Sequence, residues 1–330
     1  MENQINKIFI TGGAGYVGAM LVPRLLAEGY TVTVLDLMLY GEDVIKPHEN
    51  LKMVKGDIRD TDLVLKIIPG NDVVIHLACI SNDPSFELNP NLGKSINLDA
   101  FEPMVQISKD NGVSRFIYAS SSSVYGVKEE KDVHEEMSLE PLTDYSKFKA
   151  DCEKILAKFQ APDFTTVTIR PATVCGYSTR QRLDVVVNIL TNLAFHKREI
   201  SVFGGKQYRP NIHIKDMVAA YLLLIEAPKE KIAGEIFNVG FENQTVSELS
   251  ETVKNVVGDD VKLITTSTND NRSYHISSEK IKNKLGFVAM HSIEEAAIDL
   301  KKAFEDGLLP NSLNDNKYFN IKTMQCVELK

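Results

Sequence analysis

The sequence has few cysteines, and they are scattered. Cys79, Cys152, Cys175 and Cys326 lie far apart, without a CxxC pair or a Cys/His cluster. Disulfide frameworks and structural zinc sites both depend on several suitably spaced cysteine or histidine residues. The pattern argues against both classes of site, and we expect reduced cysteines and no bound metal.

The sequence also lacks an excess of positive charge and long apolar runs. Lysine and arginine number 37 against 45 aspartate and glutamate, a formal net charge of −8, which gives no general attraction for nucleic acid or anionic lipid. No segment approaches the ~18 uninterrupted apolar residues of a membrane span, and the N-terminal residues lack the apolar region of a secretory signal. We therefore expect a soluble, cytoplasmic protein with neither nucleic-acid nor membrane partners.

What is present is an ordinary globular balance of 43% apolar and 25% charged residues over 330 residues, enough for about two domains. Short apolar runs alternate with segments of helical period in the first half, as is typical of a parallel sheet covered on both faces. The sequence predicts a doubly wound, Rossmann-type α/β fold. The predicted strands are Lys7 to Thr11, Thr31 to Leu35, Lys52 to Lys55, Val73 to His76, Arg115 to Ala119 and Thr165 to Ile169, and the predicted helices begin near Gly15, Asp60, Pro90, Thr143 and Leu183.

This alternation stops after Arg170-Pro171, where a less regular region begins. Two segments within that region again look strand-like or helix-packed, so we expect them to return to the first half of the fold. The predicted division is therefore discontinuous. We call residues 1–172 with about 211–240 the first lobe, and residues 173–210 with 241–330 the smaller second lobe.

A glycine-rich turn follows the first predicted strand. Gly12, Gly15 and Gly18 stand at three-residue intervals, between a strand and a helix. The first permits a tight turn, the second lets the backbone approach a pyrophosphate at the helix N-terminus, and the third allows close helix–strand packing. Asp36 ends the second strand, where a carboxylate accepts hydrogen bonds from ribose hydroxyls and repels a 2′-phosphate. The pattern predicts that the first lobe binds NAD rather than NADP.

Tyr145 and Lys149 stand four residues apart on a predicted helix, hence on one face. A phenol with its ordinary pKa near 10 is a poor base at neutral pH. A lysine charge at ~5 Å in an effective dielectric of ~20 contributes roughly 3 kcal/mol, which lowers that pKa by about two units. The pair predicts a general base, although such a pair also occurs where an aromatic ring merely packs on a lysine stem.

A serine-rich segment, Ser120 to Ser123, follows the fifth predicted strand. In this architecture the carboxyl ends of the strands face the ligand crevice. A serine hydroxyl there can share a proton with a substrate hydroxyl or carbonyl while Tyr145 transfers it, which suits alcohol–carbonyl interconversion beside a nicotinamide. The alternative is a polar turn that only caps the strand.

Six segments in this order resemble the extended short-chain dehydrogenase/reductase family, and within it the NAD-dependent nucleotide-sugar epimerases and dehydratases. The resemblance covers nearly the whole chain. The segments are TGGAGYVG at 11–18, GDIRD at 56–60, HLAC at 76–79, SSSSVYG at 120–126, Tyr145 with Lys149, and RPATVCG at 170–176.

The resemblance implies a role for each matching residue. Tyr145 would be the base, Ser121 its partner, and Lys149 would also hold the nicotinamide ribose. The implied cofactor-binding residues are Gly12, Gly15, Tyr16, Val17 and Gly18 at the pyrophosphate turn, Asp36 at the ribose, Asp57 and Ile58 at the adenine, and Leu77, Ala78 and Asn97 at the nicotinamide half. The implied substrate-binding residues are Ser122, Ser123, Thr173, Arg209 and Arg272, the two arginines converging on a diphosphate, although each taken singly could form a surface ion pair.

Three departures from the family pattern bear on the reaction and on the substrate. Ser122 and Ser123 occupy the two positions that look like an Asp-Glu pair in the dehydratase branch, where the pair is the acid and base that remove water. The presence of two hydroxyls instead counts against elimination chemistry. Thr173 replaces an asparagine of many hexose epimerases. The segment Tyr177 to Asp184 is unlike ordinary galactose epimerases and resembles a branch linked to surface-polysaccharide sugars.

The sequence therefore predicts a homodimeric, NAD-dependent epimerase of a nucleotide sugar that acts by transient oxidation, at C4. The dimer is implied by the resemblance alone. A net 4-oxidase or ketosugar reductase would use the same residues and is the second interpretation. A third interpretation is a dinucleotide-sensing protein that catalyses no reaction, and the intact Ser121, Tyr145 and Lys149 disfavour it. The nucleotide base and the sugar stay open.

Overall fold

A seven-stranded sheet forms the centre of the computed structural model, which describes residues 5–81, 83–268 and 273–327. Its strand order is β10-β6-β5-β4-β1-β2-β3, and every neighbouring pair is parallel. These strands are β1 (Lys7–Thr11), β2 (Thr31–Asp36), β3 (Leu51–Lys55), β4 (Val73–His76), β5 (Arg115–Ala119), β6 (Thr165–Pro171) and β10 (Glu235–Val239). The predicted doubly wound α/β fold is confirmed.

Two small sheets lie outside this one. The first has the order β11-β9-β7, and the second pairs β12 with β8. Their strands are β7 (Thr173–Cys175), β8 (Glu199–Phe203), β9 (Tyr208–His213), β11 (Glu242–Thr245) and β12 (Lys262–Thr266). The described helices are α1 (Gly18–Ala27), α2 (Thr61–Ile67), α3 (Asp83–Glu87), α4 (Pro90–Lys94), α5 (Phe101–Asp110), α6 (Asp144–Ala157), α7 (Val186–Lys197), α8 (Ile214–Glu226), α9 (Lys229–Ile232), α10 (Val246–Val257), α11 (Glu279–Leu285), α12 (Ile293–Glu305) and α13 (Asn320–Cys326), with a π-helical turn at Ser95–Asp99 and 3₁₀ turns at Ser122–Tyr125 and Asn316–Tyr318.

The large sheet is buried on both faces. Successive strand residues point to opposite faces, and each face packs in its own apolar cluster. Ile8 and Ile10 of β1 belong to one apolar cluster, which includes residues of α1 and α8. Phe9, between them, belongs to a second cluster with residues of α5 and α6. The near-continuous apolar strands seen in the sequence therefore reflect two covered faces.

The order of the strands reverses between β1 and β4, since β2 and β3 follow on one side and β5 and β6 on the other. In open parallel sheets the crevice at such a switch point, outside the carboxyl ends of the strands, is where ligands bind. The glycine turn follows β1 and the HLAC segment spans the end of β4. The topology therefore brings both motifs to one crevice.

The two segments expected to return to the first half of the fold contain β9, α8 and β10. β10 pairs with β6 at the sheet edge, and α8 packs against α1. The two lobe boundaries stay a prediction. Two helix starts differ from expectation: α1 begins at Gly18 because the residues from Gly12 onward form turns, with the Gly15 N–H bonded to the Gly12 carbonyl, and α7 begins at Val186 rather than near Leu183.

Within the described residues, no helix is both long enough and apolar enough to span a membrane.

Candidate active site

A cavity of about 660 Å³ opens at the carboxyl ends of β1, β4 and β5 and extends to the second lobe. This size is typical of a site for a small-molecule ligand or cofactor. Most of the residues proposed from the sequence line it together: Gly12, Gly15, Tyr16, Val17, Gly18, Asp36, Ile58, Leu77, Ala78, Ser121, Ser122, Ser123, Tyr145, Lys149, Thr173 and Arg209.

The glycine turn is shaped by steric limits that the structure makes explicit. Gly12 has φ of +71°, and a Cβ placed there would lie 2.6 Å from the Ala78 backbone nitrogen. A Cβ on Gly18 would lie 2.3 Å from the Gly13 carbonyl oxygen. The turn can therefore lie against the residues that follow β4, and α1 against the turn, only with glycine at these positions.

Asp36 lies in the cavity at the end of β2, where backbone groups orient its carboxylate. Oδ2 accepts a hydrogen bond from the Ala14 N–H at 2.9 Å, and Oδ1 accepts one from the Met38 N–H at 2.8 Å. Burial raises the pKa of Asp36, although these two hydrogen bonds oppose the rise. Each oxygen retains acceptor capacity for a ribose hydroxyl.

Asp57 and Asn97 do not line the cavity, unlike Ile58. The carboxylate of Asp57 accepts hydrogen bonds from Arg59, which outweigh partial burial and lower the pKa of Asp57. The Asn97 side chain accepts from the Ile80 N–H at 2.8 Å and donates to the Ile80 carbonyl at 2.9 Å. Asn97 therefore shapes the loop after β4, from a π-helical turn of the kind often found at functional sites.

The floor of the crevice is held by a buried pair at the ends of β1 and β4. Thr11 Oγ1 lies 2.9 Å from His76 Nδ1, and Thr11 Oγ1 also accepts from the Ala78 N–H at 3.3 Å. Burial, and next the charge of Lys149, lower the pKa of His76 to about 3. His76 is therefore a neutral structural group at physiological pH.

Tyr145 and Lys149 lie on α6, whose first turn is closed by a capping box between Thr143 and Ser146. Lys149 is 4% exposed, its Nζ donates to the Ala119 carbonyl at 2.6 Å, and it lies 5.9 Å from the centroid of the Tyr145 ring. The bond to Ala119 fixes the ammonium at the end of β5. The predicted pair thus faces the cavity with its lysine oriented by the sheet.

A buried ion pair fastens the same helix further along. Glu153 follows Lys149 by one turn, and both its oxygens bind Arg170 of β6, at 3.0 Å to Nε and 2.6 Å to Nη2. Ser120 Oγ also donates to Glu153. Because these groups are fully buried, removing one partner would leave an uncompensated charge, so the arrangement holds α6 against the strand ends that carry the serines.

Ser121 ends an extended stretch and caps the 3₁₀ turn that follows. Its Oγ accepts from the Ser123 N–H at 3.1 Å and lies 2.8 Å from Ser123 Oγ. Ser122 is buried, with its Oγ 3.4 Å from the Tyr274 hydroxyl. The hydroxyls of Ser121 and Ser123 therefore form a bonded pair that lines the same cavity as Tyr145.

The second-lobe wall of the cavity carries Thr173 on β7 and Arg209 on β9. These strands are neighbours in the three-stranded sheet. Arg209 Nη1 donates to the Tyr208 carbonyl at 3.0 Å. Arg272, the second predicted phosphate ligand, lies outside the described residues.

Five further cavity residues were not assigned from the sequence. They are Tyr40, Arg180, Arg182, Asp184 and Asn320. Arg182 Nε donates to Asp184 Oδ1 at 2.5 Å. Burial tends to lower the pKa of Arg182, but Asp184 and nearby phenols, including Tyr145, raise it. The unusual segment from Tyr177 to Asp184 was the only sequence signal for Arg180, Arg182 and Asp184, and Tyr40 and Asn320 had none.

These features fit a dinucleotide. The glycine turn leaves room that a Cβ would fill, the N-terminus of α1 points to that turn, and Asp36 presents oriented acceptors beside it. Lys149 and Tyr145 line the same cavity. The arrangement defines a dinucleotide-dependent enzyme of the short-chain dehydrogenase type.

Comparison with known proteins identifies the family. A sequence model of the NAD dependent epimerase/dehydratase family matches residues 8–240, so this chain belongs to that family and is NAD-dependent. The UDP-glucose 4-epimerase of Lactobacillus helveticus is 28% identical over 275 residues, which cover 77% of this chain and 83% of that enzyme. The dTDP-glucose 4,6-dehydratase of Streptomyces niveus is 25% identical over 323 residues, which cover 91% and 93%.

A solved structure supports the same conclusion. The UDP-glucose 4-epimerase of Thermotoga maritima, crystallised with UDP-glucose, matches with a TM-score of 0.84 and 26% identity, covering 92% of this chain and 99% of that one. The resemblance to the extended short-chain dehydrogenase/reductases is thereby confirmed. The family contains both epimerases and dehydratases, so membership alone leaves the reaction open.

Proposed function

We propose that this chain is an NAD-dependent 4-epimerase of a nucleotide-activated sugar. Support comes from the convergence of Ser121, Tyr145 and Lys149 in one cavity with the glycine turn. Bound NAD supplies an acceptor for a hydride that can afterwards be returned. The sugar is oxidised to a ketone, turns within the site, and is reduced on its other face.

The protein moves the proton that accompanies this oxidation. Tyr145 removes the proton of the sugar hydroxyl, since the positive charge of Lys149 stabilises the phenolate. Ser121 donates a hydrogen bond to the same sugar oxygen and holds it in line with Tyr145. When the ketone is reduced, the Tyr145 hydroxyl gives the proton back, so the residue ends the cycle as it began.

One observation favours epimerisation over dehydration. Among the cavity-lining residues that the structure describes, the only carboxylates are Asp36, at the cofactor end, and Asp184, which binds Arg182 and the Asn320 N–H. Elimination of water needs an acid and a base near the reacting carbons. By the family resemblance, Ser122 and Ser123 occupy the positions that carry those groups in dehydratases.

The sugar diphosphate would bind at the second-lobe wall. Arg209 offers a guanidinium that can chelate two oxygens, and Arg272 would add a second. The resemblance of the segment Tyr177 to Asp184 supports a role in surface-polysaccharide sugar synthesis. A cytoplasmic homodimer remains part of the proposal, and sedimentation analysis of the purified protein tests the dimer.

The fate of the hydride tests the reaction. An epimerase returns the hydride that it removed, so substrate carrying deuterium at C4 should give product that retains the label, with no solvent deuterium at that carbon. A net oxidase would instead accumulate NADH in proportion to enzyme, and a reductase would require added NADH. Stoichiometric NADH with the true substrate would refute the proposal. Thermal-shift screening against UDP, dTDP, GDP, CDP and ADP identifies the nucleotide first.

A further inference from the structure

Arg180 is a buried cation in the cavity wall. It is 3% exposed and lines the cavity with Gly12, Gly15 and Asp36. Its guanidinium carbon lies 3.4 Å from the centroid of the Tyr40 ring, a stacked cation–π contact. Nη2 donates to Asn320 Oδ1 at 2.6 Å.

The hydrogen-bonding capacity of Arg180 is not filled by the protein. Within the part of the chain that the structure describes, its buried Nε has no hydrogen-bond partner. Asp184 and Asp36 act on Arg180 through their charges, while Asp184 itself is paired with Arg182. Burial lowers the pKa of Arg180 to about 10, so it stays charged at neutral pH. A buried cation whose donors are only partly used is costly, which makes the position suited to an anionic ligand.

The segment that carries Arg180 is bonded to the start of α1. Ser178 Oγ donates to the Tyr16 carbonyl at 2.8 Å, and Thr179 Oγ1 donates to the Ala19 carbonyl at 3.4 Å. The Tyr16 hydroxyl donates to the Gly176 carbonyl at 2.6 Å. These bonds hold the residues just before Arg180 against the start of α1, whose N-terminus favours phosphate groups, and Arg180 lines the same cavity as the glycine turn.

We infer that Arg180 binds the diphosphate of the dinucleotide, and that Asn320 positions Arg180 for this contact. The cofactor diphosphate would then bind between the N-terminus of α1 and a guanidinium, which can donate two hydrogen bonds at once. Tyr40 holds the plane of the guanidinium by stacking. The assignment rests on NAD binding and does not depend on which sugar is the substrate.

Asn320 connects this cation to the C-terminal helix. It is 4% exposed, its N–H donates to Asp184 Oδ2 at 2.7 Å, and its Nδ2 donates to Ser81 Oγ at 2.7 Å. With these anchors its Oδ1 faces Arg180. Met324, one turn further along α13, also lines the cavity, so the C-terminal helix forms part of the cofactor site.

The test separates phosphate binding from a structural role. Full-length enzyme freed of cofactor is loaded with NADH, and ADP or adenosine is used to displace the NADH fluorescence. Arg180→Met should weaken ADP at least tenfold and adenosine by less than twofold, while Arg180→Lys should fall between Met and wild type. Arg24→Met, which removes an exposed charge at the other end of α1, should leave both affinities within twofold.

If Arg180→Met loses affinity for ADP and for adenosine equally, the residue only supports the fold. If the ADP affinity is unchanged, Arg180 binds another anion. Either result overturns the inference. If Arg180→Met fails to fold, judged by its urea unfolding transition, Arg180→Lys decides alone: it must weaken ADP more than adenosine, because an ammonium lacks the planar fork.

A double-mutant cycle tests the role of Asn320. Asn320→Ala should weaken ADP at least threefold in the wild type and not at all in the Arg180→Met variant, because its effect passes through Arg180. Asn316→Ala, an exposed position of the same segment, is the matched control. Losses that simply multiply in the double variant would show that Asn320 acts independently of Arg180 and would refute its positioning role.

Discussion

Replacing Gly12 by alanine should damage both stability and cofactor binding, and the structure offers a matched comparison. Gly12 and Gly29 both have positive φ, +71° and +90°. An alanine at either site costs roughly 1 kcal/mol or more for the left-handed backbone. Around Gly29 there is nothing within 4 Å of the added Cβ, whereas at Gly12 the Cβ would lie 2.6 Å from the Ala78 nitrogen and 2.9 Å from the Leu77 carbonyl carbon.

Ordinary contact needs at least 3.4 Å, so the Ala78 backbone must retreat by about 0.8 Å, the difference from 2.6 Å. Such overpacking against backbone typically costs about 1–3 kcal/mol. Gly12→Ala should therefore lose that much more unfolding free energy than Gly29→Ala. Since Leu77 and Ala78 line the cavity, NAD affinity should also fall at least tenfold, about 1.4 kcal/mol.

Urea denaturation of the two variants compares their free energies of unfolding, and calorimetric titration with NAD compares their NAD affinities. Gly29→Ala should bind NAD as the wild type does. Equal destabilisation of the two variants, together with unchanged NAD affinity for Gly12→Ala, would refute the steric account of the glycine turn.

Four further predictions follow from the site. Tyr145→Phe should keep the fold and bound NAD but lose ~10²-fold or more in turnover; normal turnover on the true substrate would rule out its role as base. NAD(H) should bind at least tenfold more tightly than NADP(H) because of Asp36, and calorimetry showing equal affinities would contradict this. UDP-, dTDP- or GDP-hexoses should give no 4-keto-6-deoxy product, whose alkaline ultraviolet absorbance is easily detected. Finally, the pKa of His76 is about 3 in the folded protein and ~6.5 in the unfolded chain. The unfolded state binds more protons between these pH values, so the free energy of unfolding should fall as pH drops below about 6.5. In urea unfolding His76→Gln should make this pH dependence less steep, and an unchanged pH dependence would count against the assignment.

The site residues that could be predicted from the sequence are those whose positions follow from the sheet topology. Gly12, Asp36 and Ser121 each stand at the carboxyl end of a parallel strand, and those ends meet at one edge, so local motifs were enough to bring them together. Tyr145 and Lys149 needed only helical spacing. The matched motif could not show that the Asn97 amide bonds to the backbone of Ile80, and its place beside the cofactor stays a prediction.

The residues that sequence reasoning missed depend on packing between distant segments. Arg180 and Asn320 are 140 positions apart, and neither Asn320 nor Tyr40 belongs to a motif. Stacking and hydrogen bonds between such residues follow from where the second lobe lies on the first, which local patterns do not encode. The start of α1 was misjudged for a local reason, because turn bonds within the glycine loop delay the first helical turn.

The bond between Asn320 and Ser81 spans 239 positions, and this has a consequence for the order of events on the ribosome. Domains fold as the chain emerges, N-terminal parts first. The large sheet gains its last edge strand only when β10, ending at Val239, has been made. The cavity wall is completed later still, when Asn320 reaches Ser81 and Arg180. A nascent chain can thus build its nucleotide-binding sheet well before it can close the site, and firm retention of the cofactor should come as one of the last steps of synthesis.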